Sequence, residues 1–180
     1  MTGGTLREML SVLNLDYQVP YRTSMTKPGS VDIIVSCSVL EHIKPQYLRR
    51  MLEEFKGLLS SDGAMIHFID NSDHYEQMDK SISRVNFLKF DDWTWNLLTL
   101  NPQSVQNRLR HSEYRSLFQG MGFGIAHEWR EVRARELAEL ASLPLARRFR
   151  GRAPDDLAAI SSGFVLVKNP PRPASAGIAA

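Results

Sequence analysis

The chain has 180 residues, a formal net charge of +2 and a sequence pI near 8.8. This length suits one domain with one sizeable core. The small surplus of positive charge does not indicate specific nucleic-acid binding, because such binding needs clustered charge. Cys37 is the only cysteine, so an internal disulfide is excluded and we expect a reducing, cytoplasmic setting. Residues 1–10 lack the apolar core of a signal peptide, and no apolar run is long enough to cross a bilayer.

The first third of the chain predicts a helix and two strands. Residues 6–15 carry leucine and methionine at helical spacing. Residues 16–21 are predicted as a short strand that stops near Pro20. Residues 31–38, with the sequence VDIIVSCS, are β-branched and nearly continuously apolar, which is typical of a strand buried on both faces of a parallel sheet.

The next segment predicts a helix and a second strand. Pro45 suits the first turn of a helix, and apolar residues at helical spacing follow it as far as residue 59. Residues 60–63 (SSDG) predict a turn, and residues 64–70 (AMIHFID) predict a second buried strand. Strand, helix and strand of these lengths indicate a right-handed βαβ unit.

The second half of the chain predicts alternating helices and strands after a long polar, aromatic segment. In chain order the predicted elements are a helix within 91–100, a helix over 113–119, a strand over 123–132, a helix over 133–143, a helix over 155–160 and a strand over 163–168. Residues 169–180 have the composition of a disordered tail. We therefore expect one partial domain over residues 1–168, followed by this tail.

Four runs in this order resemble the second half of class I S-adenosylmethionine-dependent methyltransferases. VDIIVSCSVLEHI resembles the fourth strand of that family and the turn after it, and LLSSDG followed by AMIHFID is similar to the approach to the fifth strand. SEYRSLFQGMGFGI resembles the helix and Gly-Phe turn before the sixth strand, and GFVLVK the closing seventh strand. The resemblance covers roughly residues 14 to 168.

The resemblance implies an α/β fold, namely a partial Rossmann-like methyltransferase fold with a mostly parallel sheet and a closing antiparallel strand. The complete family sheet has the strand order 3-2-1-4-5-7-6. Its first strand ends in a glycine-rich turn that approaches the cofactor closely. Gly3 and Gly4 have no strand before them, so this turn is not matched. We therefore expect a truncated chain that binds S-adenosylmethionine weakly or not at all.

The implied function is methyl transfer from S-adenosylmethionine to a small-molecule or glycan-related acceptor. The alternative is a non-catalytic binding module that uses an open sheet edge and an arginine cluster. If the first strand of the family sheet is missing, residues 31–38 form an edge that favours self-association.

Candidate catalytic residues follow the ends of the two predicted parallel strands, where sites of such sheets lie. His42 follows the first strand, and Asp70 and His74 follow the second. A carboxylate beside an imidazole suits a general base. The structural alternatives are a helix cap or packing in the turn for His42, and a solvated polar loop for the other two. Ser36 and Ser38 are candidate cofactor neighbours. No metal site is predicted, because no spacing fixes a third ligand beside His74.

Basic and aromatic side chains supply the remaining candidates. Arg147, Arg148 and Arg150 form a cluster suited to an anionic substrate, with a solvated face as the alternative. Asn107, Arg108 and Arg110 are candidate substrate contacts or helix-end salt bridges. Aromatic residues between positions 87 and 95 predict either a lid or a satellite hydrophobic cluster, and His67 is predicted to be a hydrogen-bonded core residue.

Overall fold

A computed structural model of the protein describes residues 5–100 and 105–168. The helices are α1 (Leu6–Val12), α2 (Pro45–Leu58), α3 (Tyr75–Met78), α4 (Asp92–Leu98), α5 (His111–Gly120), α6 (Ala134–Ser142) and α7 (Pro154–Leu157). The strands are β1 (Val31–Cys37), β2 (Leu59–Asp70), β3 (Gly124–Val132) and β4 (Ala159–Val167). None of the helices in the described ranges is long and apolar enough to span a membrane. The predicted tail and the Gly3–Gly4 pair lie outside the described residues.

The four strands form one sheet in the order β1-β2-β4-β3. β1 and β2 are parallel, and β4 is antiparallel to both β2 and β3. Three strands therefore point the same way, and the last strand of the chain is inserted between the second and the third. This is the 4-5-7-6 part of the expected order, so the predicted fold class is confirmed.

One face of the sheet carries the main core, under α2 and α5. Pro45 occupies the first turn of α2, and Leu48 and Leu52 lie one turn apart on the buried side of this helix. Burying each such leucine stabilises the fold by about 1.5–3 kcal/mol. The core is a cluster of Leu40, Leu48, Leu52, Leu59, Met65, Ile69, Tyr114, Phe118, Phe123, Phe164 and Leu166.

A second buried cluster lies beneath the long segment that follows β2. Phe87 and Trp95 are buried and meet at 5.8 Å between ring centroids, nearly at right angles. Leu140 of α6 and Phe149 pack into the same cluster. Of the two predicted roles for this aromatic segment, these side chains take the satellite cluster, whereas Trp93 is 74% exposed.

The edge strand β1 is less buried than the sequence predicts. Ile33 and Val35 are 60% and 61% exposed, so the prediction of a strand buried on both faces is wrong for the described residues. β1 pairs with β2 alone, and only the face that carries Ile34 packs against the core.

Three local predictions are also wrong. Residues 16–21 form no strand; Tyr17 and Val19 are exposed, and Pro20 lacks the N–H that a strand ladder uses. Residues 60–63 are not a turn but part of β2, which continues through a register shift opposite β1. The helix predicted over 155–160 ends at Leu157, because Ala159 already pairs with β3 and starts β4.

His67 is a core residue, as predicted. Its side chain is fully buried, stacks on Phe118 at 5.8 Å between centroids, and lies 2.8 Å through Nδ1 from the Ser36 hydroxyl. Burial lowers the pKa of His67 to about 4, so the ring is neutral at physiological pH and packs as an uncharged group.

Candidate active site

The turn after β1 presents two side chains of opposite exposure. Ser38 has a left-handed backbone, with φ at 52°, and its N–H donates to the Phe68 carbonyl at 2.9 Å. The chain then forms a short 3-10 turn over Leu40–His42. Within it Glu41 is buried and His42 is exposed. The reversal at Ser38 thus places both residues at the carboxyl edge of the sheet.

Asn107 fixes the shape of this turn. Its side-chain amide donates to the carbonyls of Leu40 and Ile43 at 2.8 and 2.9 Å, and its backbone N–H donates to the Glu41 carbonyl at 2.8 Å. The Tyr114 hydroxyl in turn donates to the Asn107 side-chain oxygen at 3.1 Å. Asn107 is therefore a positioning residue that the sequence suggested only as a substrate contact or a helix-end partner.

The segment after β2 brings Asp70 and His74 together. Asp70 accepts from the backbone N–H and the hydroxyl of Ser72, at 2.9 and 2.6 Å. The other carboxylate oxygen, Oδ2, lies 3.4 Å from Nε2 of His74, one helical turn later in the chain. Both side chains are partly buried, at 28% and 25% exposure, so solvent screens their attraction only in part.

Each member of this pair shifts the protonation of the other. Burial alone would raise the pKa of Asp70, but the contacts with His74 and Ser72 outweigh it and hold the pKa below its ordinary value. The Asp70 carboxylate raises the pKa of His74, and this outweighs the opposing effect of burial. The pair therefore favours a charged carboxylate beside a readily protonated imidazole.

The three predicted catalytic residues converge. The rings of His42 and His74 lie 5.0 Å apart between centroids, tilted at 54°, and the Asp70 carboxylate lies 3.4 Å from His74. Glu41 completes the group, which the sequence did not single out. Glu41 lies in the run LEHI, where the sequence gives no sign that it differs from an ordinary turn residue. Its burial becomes evident only in the packed structure.

Asp73 plays a different part from its neighbours. It is fully buried, and its carboxylate accepts from the Tyr75 N–H at 3.0 Å and from the Asn86 side chain at 3.2 Å. It therefore shapes the loop that leads into α3.

The two serines proposed as cofactor neighbours diverge. Ser36 is turned into the core side of the sheet, where its hydroxyl meets His67. Ser38 instead lines a groove of about 390 Å³ at the carboxyl ends of β1 and β2, together with Phe68 and Asp70. Ser38 therefore lies beside the candidate site, whereas the Ser36 hydroxyl is bonded to His67.

The arginine cluster is partly neutralised within the protein. Arg148 pairs with Asp92 at 2.8 Å and lies 3.5 Å from Glu113. Arg150 donates to the Leu145 carbonyl at 2.9 Å, and Arg147 is exposed. The three guanidinium groups are not brought to the histidine pair by these contacts.

Arg110 is buried completely and holds two strands together. Its guanidinium donates to the carbonyl of Asn71, just after β2, at 2.7 Å, and to that of Ala159 at the start of β4. A longer contact of 3.4 Å reaches the Asp156 carbonyl. Burial lowers the pKa of Arg110 to about 10, so it stays charged at neutral pH. Its role is structural, because its side chain is fully buried and bonds to backbone carbonyls.

Arg108 has a comparable role in the second cluster. Its guanidinium donates to the Phe87 and Phe90 carbonyls at 2.9 and 2.6 Å and pairs with Asp92 at 2.7 Å. It also lies over the Trp95 ring, 5.0 Å from the centroid. The pair with Asp92, the first residue of α4, is the predicted helix-end salt bridge, and the bonds to the two carbonyls add to it; the side chain is 2% exposed.

Comparison with known proteins gives structural likeness only. No family model matches the chain, and no curated protein matches it. Solved structures that resemble it include a SAM-dependent methyltransferase from Archaeoglobus fulgidus (9% identity, TM-score 0.47, 81% of this chain and 62% of that one). Others are the CurJ carbon methyltransferase (15%, 0.45, 81% and 31%) and the YcgJ protein from Bacillus subtilis (13%, 0.42, 91% and 76%).

The chain spans less than two thirds of two of these structures, namely 31% of the CurJ enzyme and 62% of the Archaeoglobus enzyme. With identities below 20% and TM-scores below 0.5, these likenesses carry no argument about chemistry.

Asn107→Asp tests the role of Asn107 in the turn. The substitution keeps the shape but turns a carboxylate oxygen toward the carbonyls of Leu40 and Ile43, so we expect a loss of about 2 kcal/mol or more in the free energy of unfolding. Urea denaturation measures it, and faster hydrogen exchange at the His42 and Ile43 amides locates it. Asn96→Asp, on the exposed side of α4, is the matched control and should stay within about 0.5 kcal/mol. Equal effects of the two substitutions would contradict the role.

Proposed function

We propose that this chain carries the second half of a class I S-adenosylmethionine-dependent methyltransferase domain. The observation that supports this best is the sheet order, in which antiparallel β4 lies between β2 and β3 while β1, β2 and β3 share one direction. Candidate polar side chains gather at the carboxyl edge of β1 and β2, where ligands of open α/β sheets bind. The exposed thiol of Cys37 suits a reducing, cytoplasmic setting.

The proposed chemistry is transfer of a methyl group to an oxygen or nitrogen atom of a small-molecule or glycan-related acceptor. In this proposal the Asp70–His74 pair accepts the proton that the acceptor loses, with Asp70 orienting the ring at 3.4 Å. His42, on the exposed side of the pair, contacts the acceptor. Arg147 and Arg150 are the proposed contacts for an anionic group, because Arg148 is engaged with Asp92 and Glu113.

The residues at the groove fit the cofactor in part. Ser38 offers a hydroxyl and Asp70 a carboxylate acceptor in the same groove, and these two would hold polar groups of S-adenosylmethionine, which supplies an electrophilic methyl group when bound. Within residues 5–100 and 105–168, however, none of the glycines forms a glycine-rich turn directly after a strand. We therefore propose weak binding by this chain.

The open edge of β1 supports a second candidate function, self-association with another copy of this chain. β1 is seven residues long, and Ile33 and Val35 are exposed beside backbone groups that β2 does not pair. Two copies that meet edge to edge by a twofold axis would join their sheets and cover these side chains in both. This is the form that a non-catalytic binding role would take.

The cofactor proposal is tested by titrating the isotope-labelled chain with S-adenosylmethionine and following amide NMR shifts. We expect shifts at Ser38, Asp70 and Ser72 with a dissociation constant weaker than about 100 µM, or about −5.5 kcal/mol. Asp70→Asn should weaken binding further, and Asp62→Asn, on the exposed part of β2, should not. No shift at millimolar cofactor, or shifts elsewhere in the sheet, would refute the proposed site.

The proton-accepting pair is tested through the pKa of His74. Asp70→Asn removes the carboxylate that raises this pKa, so the NMR titration midpoint of His74 should move to lower pH, while Asp62→Asn leaves it in place. A base works in its neutral form, so any methyl transfer should rise with pH through the same midpoint. The raised pKa also stabilises the fold below pH of about 6.5, an effect lost as pH rises through the folded-state value.

The companion measurement is turnover, followed as S-adenosylhomocysteine formed with a panel of small alcohols, amines and sugars. His74→Gln should lower it about a hundredfold or more without changing cofactor affinity. His127→Gln, at an exposed position of β3, is the control. An unchanged rate in His74→Gln would remove the residue from the reaction.

Val35→Lys tests self-association. A charged side chain at the centre of the open edge should convert an associated wild-type chain to a monomer, because the lysine would be buried in the joined sheets. Light scattering over a concentration series measures the mass. Leu97→Lys, on the exposed face of α4, should leave the mass unchanged. A wild-type chain that stays monomeric at high concentration would refute this function.

A further inference from the structure

Three possible metal ligands meet at the carboxyl edge of the sheet. Glu41 and His42 come from the turn after β1, and His74 comes from the segment after β2. One ligand atom from each lies within 4.8 Å of the other two. Zinc binds nitrogen and oxygen at about 2.0–2.2 Å, which brings its ligand atoms to about 3.4 Å from one another. Small rotations of these three side chains would close such a site.

The carboxylate of Glu41 is buried without a hydrogen-bond partner among the described residues. Its residue is 2% exposed, and neither carboxylate oxygen meets the geometry of a hydrogen bond to any group in the described structure. The backbone N–H groups of Glu41 and Asp70 face the carboxylate and compensate its burial only in part. A carboxylate buried without a full set of partners is costly, and a bound cation is a partner that removes this cost.

Each of the two histidine rings has an oxygen acceptor beside one ring nitrogen, as metal-binding histidines usually do. Nδ1 of His42 lies 2.9 Å from the Val105 carbonyl, so this nitrogen carries the proton and donates it, which leaves the Nε2 lone pair for a ligand bond. His74 is oriented by the Asp70 carboxylate at 3.4 Å. A carbonyl or a carboxylate behind each ligating ring is the common outer shell of metal sites.

We propose that Glu41, His42 and His74 bind one divalent first-row transition-metal ion, with Zn²⁺ as the preferred ion. Two imidazoles and one carboxylate suit zinc and its neighbours, whereas Mg²⁺ and Ca²⁺ prefer sites built from oxygen alone. His42 is exposed, so the ion is reachable from solvent and keeps a coordination position open for water or an acceptor hydroxyl.

This inference goes beyond methyl transfer and does not depend on it. A ring nitrogen that binds the ion cannot also accept a proton, so the metal-bound chain would rely on the ion to acidify a bound hydroxyl. Metal binding is measured on the chain alone, so its outcome and that of the cofactor titration are separate.

The test is calorimetric titration of the chelator-treated 180-residue chain with Zn²⁺, supported by the visible absorption of the Co²⁺ form. All proteins carry Cys37→Ser, because the exposed thiol would itself bind zinc. We expect one ion per chain with a micromolar or tighter dissociation constant, and Co²⁺ absorption typical of nitrogen and oxygen ligands. Mg²⁺ should not compete at a thousandfold excess.

Variants of each ligand decide whether this site is the one that binds. Glu41→Gln, His42→Ala and His74→Ala should each weaken Zn²⁺ binding about a hundredfold, and Asp70→Asn about tenfold. His127→Ala should bind as the parent does. Glu41→Gln keeps the size of the side chain and removes its charge, so it should unfold in urea at no lower concentration than the metal-free parent; this separates lost binding from lost folding. No stoichiometric binding, or unchanged affinity in the three ligand variants, would overturn the proposal.

Discussion

The buried segment Asn107–Arg110 links the turn after β1, the aromatic cluster and the ends of β2 and β4 by side-chain hydrogen bonds. Asn107 holds the turn after β1 through three hydrogen bonds. Arg108 joins the aromatic cluster to α4 through the Phe87 and Phe90 carbonyls and Asp92. Arg110 links the ends of β2 and β4. Because backbone carbonyls accept most of these bonds, the arrangement fixes main-chain positions, to which the site residues are attached.

Burying the guanidinium groups of Arg108 and Arg110, two residues apart in the chain, has a cost that the fold must offset. Burial lowers the pKa of both Arg108 and Arg110 to about 10. Both remain charged at neutral pH, and removing one would leave several buried carbonyls without a donor. The segment therefore favours one arrangement of the chain, because a shift of the surrounding backbone would break its hydrogen bonds to buried carbonyls.

The hydrogen bonds of this segment position the backbone that carries the candidate site. The Asn107 amide sets the turn that buries Glu41 and exposes His42, and the loop shaped by Asp73 delivers His74 from the other side. Proton transfer by the Asp70–His74 pair and metal binding by Glu41, His42 and His74 are two proposed uses of one constellation. Arg148 is already held by the Asp92 and Glu113 carboxylates, which leaves Arg147 and Arg150 for the proposed anionic group.

The sequence by itself determined the local elements and their order. The apolar spacing after Pro45 predicted α2, the β-branched run VDIIVSC predicted β1, and the positions after β1 and β2 identified His42, Asp70 and His74 as neighbours. Periodicity and turn chemistry act over a few residues, so a sequence pattern can reveal them.

Only the tertiary structure decided the exposure of Ile33 and Val35, the extension of β2 through residues 60–63, the diversion of Ser36 to His67, and the burial of Glu41. It also decided that Asn107, Arg108 and Arg110 are structural. Asn107 and Leu40 are 67 positions apart in the chain. Which side chain meets which over such a separation depends on how whole elements pack, and no local spacing records that.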